Sequence, residues 1–403
     1  MGNKPYSDRS SYKWIILALL CGLYFAFGMI ARSIAPLVTP IISDIGISFA
    51  QMGFILGAWQ ITYILISLIN GPLIDRWGIR KALFAGAIVI SASTLLRYFP
   101  VGFFSLLFAV ALFGVGAPMI SIGGPKAIAL WFEGKNRGTA IGIFMAGNIS
   151  GGLAVLSLTN SLVMPAVQHS WRWTFVVYGL ITLLIAMVWL IFAREKPVQS
   201  PEENISQLQV FTCLIRIRKV QTILLMGLFS FSIFHGLGNW MPKILETGGL
   251  SPSLAGFGAA IPLVSAIPAI LLVPRLIPGH LRGKAIAGFA LCTSILIIVI
   301  TNASGIPLIA GLALLGMSNS GFLPIMLLIL MDSPEIGSKY MGAAGGLFFC
   351  VAEVGGVLGP FVMGALVDLT GAFLVGGFFL TFLAITVSFL AWSLKLEKIP
   401  SGD

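Results

Sequence analysis

Gly71-Pro72-Leu73-Ile74-Asp75-Arg76-Trp77-Gly78-Ile79-Arg80-Lys81 is a polar, turn-forming island between two long apolar runs, and its reading decides the fold. Gly71 and Gly78 permit close packing and a tight turn. Asp75 is placed to face a helix N-terminus or a nearby arginine. Arg76, Arg80 and Lys81 form a basic cluster of the kind that anchors at the cytoplasmic face of a bilayer. Working outward from this island, apolar runs long enough to span a membrane recur along the whole chain. They cover roughly 14–38, 50–73, 82–98, 102–131, 138–163, 172–193, 221–244, 253–274, 285–302, 305–330, 342–365 and 371–393. Most connections are short, but the one from Arg194 to about Val220 is long and polar and splits the runs six and six.

The composition agrees. The chain has 403 residues, of which 58% are hydrophobic and 9% charged. A soluble domain carries about 25% charged residues, and twelve spans of about 20 residues need roughly 240 apolar positions. This excludes a soluble enzyme, a nucleic-acid binder and a disordered scaffold. Cys21, Cys213, Cys292 and Cys350 lie far apart and form no C-x-x-C, so neither a zinc site nor a disulfide framework is indicated. The first run is too long for a signal-peptide core. Forty-seven glycines fit helices that approach one another closely within a membrane.

The net charge of +10 marks orientation rather than a nucleic-acid partner. With the N-terminus in the cytoplasm, twenty of the lysines and arginines fall in cytoplasmic segments and three, Arg97, Arg172 and Lys243, on the external side. That bias predicts a multi-pass protein of the cytoplasmic (inner) membrane with both termini inside. Arg97 and Arg172 read as external-loop anchors. The second half echoes the first at an offset near 203: Pro72 to Ala82 recurs loosely as Pro274 to Ala285, and Glu133 pairs with Glu335. The expected organisation is a six-helix bundle over 1–193, a cytoplasmic linker over 194–220 and a second six-helix bundle over 221–403. In such two-fold repeats the substrate site lies near the midplane between the halves.

The island resembles the loop signature of the major facilitator superfamily, G-x-x-x-D-R-x-G-R-R-R, at nearly every fixed position and in the corresponding loop. The resemblance implies an all-α integral membrane fold of twelve transmembrane helices in two pseudo-symmetric bundles. It also implies that the loop locks one conformation of alternating access by contacting the eleventh helix. Gly71, Asp75, Arg76, Gly78 and Arg80 are therefore gating candidates, with Lys126 and Arg137. Lys126 lies about ten residues inside the fourth span and is set to snorkel to the interface. In the fifth span Gly138, Gly142, Gly147, Gly151 and Gly152 put small residues on a face expected to slide against the eighth span.

Charges inside the spans are few, and each costs at least about 2.5–3.5 kcal/mol at a bilayer centre on insertion scales. Arg32, in the first span, offers a planar cationic fork for a carboxylate or phosphate; pairing with Glu353 or with backbone carbonyls is its structural alternative. His235, in the seventh span, stands at the repeat offset from Arg32 and suits proton coupling or hydrogen bonding, or simple packing. Glu353, near the middle of the eleventh span, is the candidate proton carrier, with a permanent salt bridge to Arg32 as the alternative. Tyr24, Gln60, Tyr63, Asn148, Asn239 and Asn319 are polar residues that could line a substrate site or bridge helices.

Within the superfamily the chain is similar to the organic-anion branches: the anion:cation symporters, the organophosphate:phosphate antiporters, and the cyanate- and monocarboxylate-type porters. The similarity rests on Arg32 with Ala35-Pro36 and Gln51-Met52-Gly53, on Tyr63, on Trp131-Phe132 before Asn136-Arg137-Gly138, and on Asn239-Trp240-Met241-Pro242. Phe234 stands where the antiporters have a second arginine, Ser67 where they have a lysine, and Asn148 where they have a histidine. A single fixed cation suits a singly charged anion, such as a monocarboxylate, better than a phosphate ester.

The expected function is secondary active transport of a small organic anion, proton-coupled, by alternating access. Arg32, Tyr24, Tyr63, Asn148, His235, Asn239 and Asn319 would bind substrate, and Glu353 and His235 would couple protons. The partners are the anion, the proton and the lipid bilayer; no cofactor, metal or nucleic acid is expected, and the protein is expected to be a monomer. The alternative is a proton-driven exporter of hydrophobic or cationic compounds using Glu353. A membrane sensor is a third reading, disfavoured by the short termini. Enzyme motifs and a phosphate-binding loop are missing, so the energy source is an ion or substrate gradient.

Overall fold

In the computed structural model the described residues are 8–195, 212–333 and 335–394. Most of the 194–220 connection, residues 196–211, lies outside them. Among the described residues there is no strand, and twelve helices are long and apolar enough to cross a membrane. They are α1 (Asp8–Ala31), α2 (Phe49–Trp77), α3 (Ile79–Leu96), α4 (Phe103–Trp131), α5 (Lys135–Leu158), α6 (Trp171–Phe192), α7 (Arg218–Thr247), α8 (Pro252–Leu276), α9 (Arg282–Asn302), α10 (Gly305–Ser320), α11 (Gly337–Thr370) and α12 (Phe373–Ser393). Short helices prolong two of them: Val38–Ile45 after α1 and Phe322–Met331 after α10.

Each apolar run of the sequence became one of these helices, with ends displaced by a few residues. The bilayer explains why pattern suffices. A backbone in hydrocarbon must satisfy its own hydrogen bonds, so a long apolar run has the helix as its only open-chain solution. Interruptions follow local chemistry. Pro36 carries no N–H and its ring crowds the carbonyl four residues back, which is that of Arg32. The α1 ladder therefore stops at Ala31, and the Arg32 carbonyl instead accepts from the Ala35 amide at 3.3 Å.

By proximity the chain forms two compact units: Met1–Gly46 with Ala58–Glu202, and Ile47–Gly57 with Glu203–Asp403. The division departs from a simple cut in the linker, because the first turns of α2 join the second unit. There Asp368, at the end of α11, accepts hydrogen bonds from the backbone N–H groups of Phe49 and Ala50 at 2.9 and 2.7 Å, capping α2 with a carboxylate.

In the first unit α1 and α5 pack backbone to backbone. A Cβ at Gly151 would run into the Phe25 carbonyl and the Met29 amide, and one at Gly147 into the Cys21 carbonyl. Overpacking of that kind costs about 1–3 kcal/mol or more. These glycines, together with Gly152, serve the α1 contact, while a Cβ at Gly138 or Gly142 would meet nothing within 4 Å. The second unit repeats the device on the equivalent helices: Gly355 and Gly359 of α11 lie against the backbone of Leu228 and Ser232 of α7. Large apolar side chains such as Leu65, Phe104, Ile295 and Phe382 point outward and are exposed, as a lipid-facing surface requires.

Candidate functional site

Arg32 stands where α1 ends. Its Nη1 donates a long hydrogen bond to Asn148 Oδ1, at 3.4 Å. The side chain lies over Gly152, one helical turn beyond Asn148 on α5, where a Cβ would come within 2.8 Å of Arg32 Cδ. A bare stretch of helix with an amide acceptor beside it makes a flat seat for a guanidinium. Within its own unit no acid pairs with Arg32 among the described residues.

Aromatic side chains wall the same unit. Tyr24 stacks on Phe144 with ring centroids 4.1 Å apart and planes at 2°. Trp59 sits edge-on to Phe27, Phe113 and Tyr63. Tyr63 shares a hydrogen bond with Ser121 at 2.9 Å. Ser121 was not singled out in the sequence, because a lone serine in an apolar span gives no signal.

In the second unit His235 of α7 faces Glu353 of α11, with Nε2 and Oε2 3.8 Å apart. Glu353 is buried at 8% exposure, and its Oε2 faces the histidine without a hydrogen bond to the described residues. The two pairs occupy equivalent helices: Arg32 with Asn148 joins α1 to α5, and His235 with Glu353 joins α7 to α11. One unit carries a guanidinium beside an amide, the other an imidazole facing a carboxyl. Asn239, one turn after His235, is buried, and its Nδ2 makes no hydrogen bond to the described residues; the same holds for Oδ1 of Asn319 in α10. A buried amide atom without a partner costs about 1–3 kcal/mol, which a polar ligand would recover.

The basic island is tied down within its own unit. Asp75 forms an ion pair with Lys126 of α4. Arg80 donates to the Leu190 carbonyl at 2.6 Å, and its own carbonyl accepts from Trp189 Nε1 at 2.9 Å, which fastens α3 to α6. Arg137 caps the end of α4 by donating to the carbonyls of Phe132 and Ala129. Gly78 takes φ +81°, a left-handed conformation that suits glycine. Arg76 is exposed and Gly71 lies within α2. The second unit has a counterpart with the charges exchanged: Arg282 at the start of α9 pairs with Asp332 beyond α10.

Of the cations that the sequence assigns to the external side, Arg172 is partly exposed and pairs with Asp44. Arg97 is 1% exposed, against the sequence reading of a loop residue. Among the described residues no three His, Cys, Asp or Glu side chains gather as a metal site, and the four cysteines are unbridged.

Twelve apolar helices in two units, with isolated polar pairs sunk into equivalent helices of each, define a multi-pass membrane carrier rather than an enzyme. The chain belongs to the major facilitator superfamily, whose family model matches residues 20–360. It is similar to the hexuronate transporter of Bacillus subtilis, at 27% identity over 88% of this chain and 89% of that one. It is also similar to a quinolone resistance transporter of Acinetobacter baumannii, at 25% identity over 88% of each. Among solved structures, a bacterial homologue of the human lysosomal transporter Spinster, crystallised inward-facing and occupied, shares the fold with a TM-score of 0.73 at 18% identity, covering 97% of this chain and 98% of that one.

Proposed function

We propose that this transporter moves a small organic anion, a carboxylate, together with a proton by alternating access. The observation that carries the reading is Arg32: a guanidinium seated on Asn148 and Gly152, with no acid neutralising it among the described residues. Such a fork needs an anion, and a carboxylate matches its two parallel N–H donors. Asn148, Tyr24 and Tyr63 in that unit, and His235, Asn239 and Asn319 in the other, are the polar groups assigned to orient it. The likeness to a hexuronate transporter supports the anion class. Glu353 with His235 is the proposed proton site, since a carboxyl facing an imidazole offers a proton two groups on which to reside.

The test is binding and flux with the purified full chain. Thermal stabilisation is measured with D-galacturonate, lactate and tetraphenylphosphonium, followed by uptake into liposomes under a pH gradient. The proposal expects stabilisation and pH-driven uptake with at least one carboxylate. Stabilisation by tetraphenylphosphonium alone would sink it and favour the second reading, a proton-driven exporter of lipophilic compounds. The likeness to a quinolone resistance transporter is the observation behind that second reading.

The Asp75–Lys126 pair is assigned to gating. Asp75→Asn removes one charge of a pair whose side chains are about a quarter exposed, so the effect on stability is modest, about 1 kcal/mol. The expected consequence is slower exchange between conformations: maximal uptake falls several-fold while the anion affinity stays unchanged. Lys126→Met should act alike, and the double variant should be no worse than either single one. Additive losses, or a loss of affinity, would contradict the assignment.

A further inference from the structure

Arg97 follows α3, and burial of its guanidinium is almost complete at 1% exposure. No carboxylate pairs with it among the described residues, and its Nε makes no hydrogen bond to them. A buried unpaired cation is among the costliest groups a fold can carry. Packing alone would be met as well by methionine or leucine. What Arg97 does touch is specific. Its Nη1 donates to Ser33 Oγ at 2.9 Å, and its guanidinium lies over the Phe175 ring at 5.4 Å. Ser33 is fully buried, and its hydroxyl passes the bond on to the Ile30 carbonyl at 2.8 Å.

Ser33 is the residue after Arg32, within the turn that Pro36 forces at the end of α1. That turn is held by three backbone bonds, Ser33 to Ile30, Ala35 to Arg32 and Leu37 to Ile34, at 3.2, 3.3 and 2.8 Å. On its far side Asn160 donates to the Pro36 carbonyl at 3.1 Å. A segment released from the helical ladder has soft dihedrals, and a small rotation there swings a long arginine side chain by several ångströms. Arg97 removes that freedom next to Arg32.

We propose that Arg97 is a positioning residue for the anion site: by holding Ser33 it fixes the turn that ends α1, and so fixes where Arg32 presents its guanidinium. The inference rests on Arg32 being the anion-binding group. Arg97 itself touches no substrate; it acts through Ser33.

The test compares the full chain with Arg97→Met, Arg97→Lys, Ser33→Ala and the double variant Ser33→Ala/Arg97→Met. The first readout needs no ligand. It is the rate at which phenylglyoxal modifies Arg32, followed by mass spectrometry of its peptide, with Arg137 as the internal control. Losing one hydrogen bond to a charged group should raise that rate roughly tenfold in Arg97→Met, with Arg137 unchanged. Apparent affinity for D-galacturonate should fall by about the same factor while maximal uptake stays within about twofold. Arg97→Lys, which keeps a donor and a charge, should recover most of both. The double variant should equal the single ones, since both break one link.

An unchanged Arg32 rate in Arg97→Met overturns the proposal, as does a rise that Arg137 shares, which would mean general loosening. Additive effects of the two substitutions also overturn it. Should Arg97→Met fail to fold, Ser33→Ala removes the same link and is judged by the same criteria. Should the unaltered protein bind no carboxylate, the proposed function falls, and the phenylglyoxal rates alone then decide this inference.

Discussion

Replacing Arg32 by alanine is expected to abolish anion transport without unfolding the protein. Removing one partner from a desolvated charge pair costs about 2–5 kcal/mol, which corresponds to a loss of affinity of roughly 30-fold to several thousand-fold. The fold should tolerate the change, because Arg32 holds no ion pair among the described residues and makes one long bond to Asn148. Relieving a half-buried charge that has no acid partner among the described residues should, if anything, raise the melting temperature. Arg32→Lys keeps the charge but loses the planar fork, and it should fall between, with weakened binding and residual transport. The measurement is carboxylate binding followed by thermal shift, with uptake into liposomes alongside. Normal transport by both variants would remove Arg32 from the site and the anion reading with it.

Glu353→Gln is expected to leave binding and exchange of the anion but to end its accumulation. Glutamine keeps the shape of the carboxylic acid and a polar contact with His235, 3.8 Å away in the native pair, yet it cannot release or take up a proton. One pH unit is worth 1.36 kcal/mol, so one-to-one symport can concentrate an anion about tenfold per unit, and the variant should reach only the equilibrium ratio. The sign follows from the chemistry: an acid that loads together with the substrate loads better on the acidic side, so wild-type uptake rises as the outer pH falls and the variant's is flat. His235→Asn should shift the pH dependence and weaken the coupling, because it removes the group across from the acid. Full accumulation by Glu353→Gln under a pH gradient would place the proton elsewhere.

Much of the architecture was legible in the chain because the bilayer leaves few choices. Twelve apolar runs became twelve helices, and the 203-residue offset between Arg32 and His235 matches their places on equivalent helices. Pro36 likewise marks the break that sets Arg32 at a helix end. Pairings were another matter. Asp75 with Lys126 and His235 with Glu353 join helices far apart in sequence, and a pattern of single residues does not say which of several candidates will meet. The sequence therefore left the partners of Glu353 and Lys126 open. The glycine face of α5 was visible, and within the first unit it lies on α1. Arg97 was hidden for a simpler reason: it follows directly after an apolar run, where arginines usually mark a loop, and only the fold shows Ser33 waiting beside it.

Those particular residues carry unequal weight in the functional account. Among the described residues, Arg32 rests on having no acid paired with it in its unit, His235 and Glu353 on their proximity, and Asn239 and Asn319 on buried amide atoms without a hydrogen bond. The single claim that joins them is that one protein couples an anion to a proton. It is tested most directly by entrapping a pH-sensitive dye in liposomes that hold the purified protein and adding D-galacturonate or lactate outside at equal pH. The account predicts acidification of the lumen as a transported anion enters with its proton, at a rate that follows anion uptake, and none in Arg32→Ala or Glu353→Gln. Anion entry at full rate with no movement of protons in the wild-type protein would contradict it.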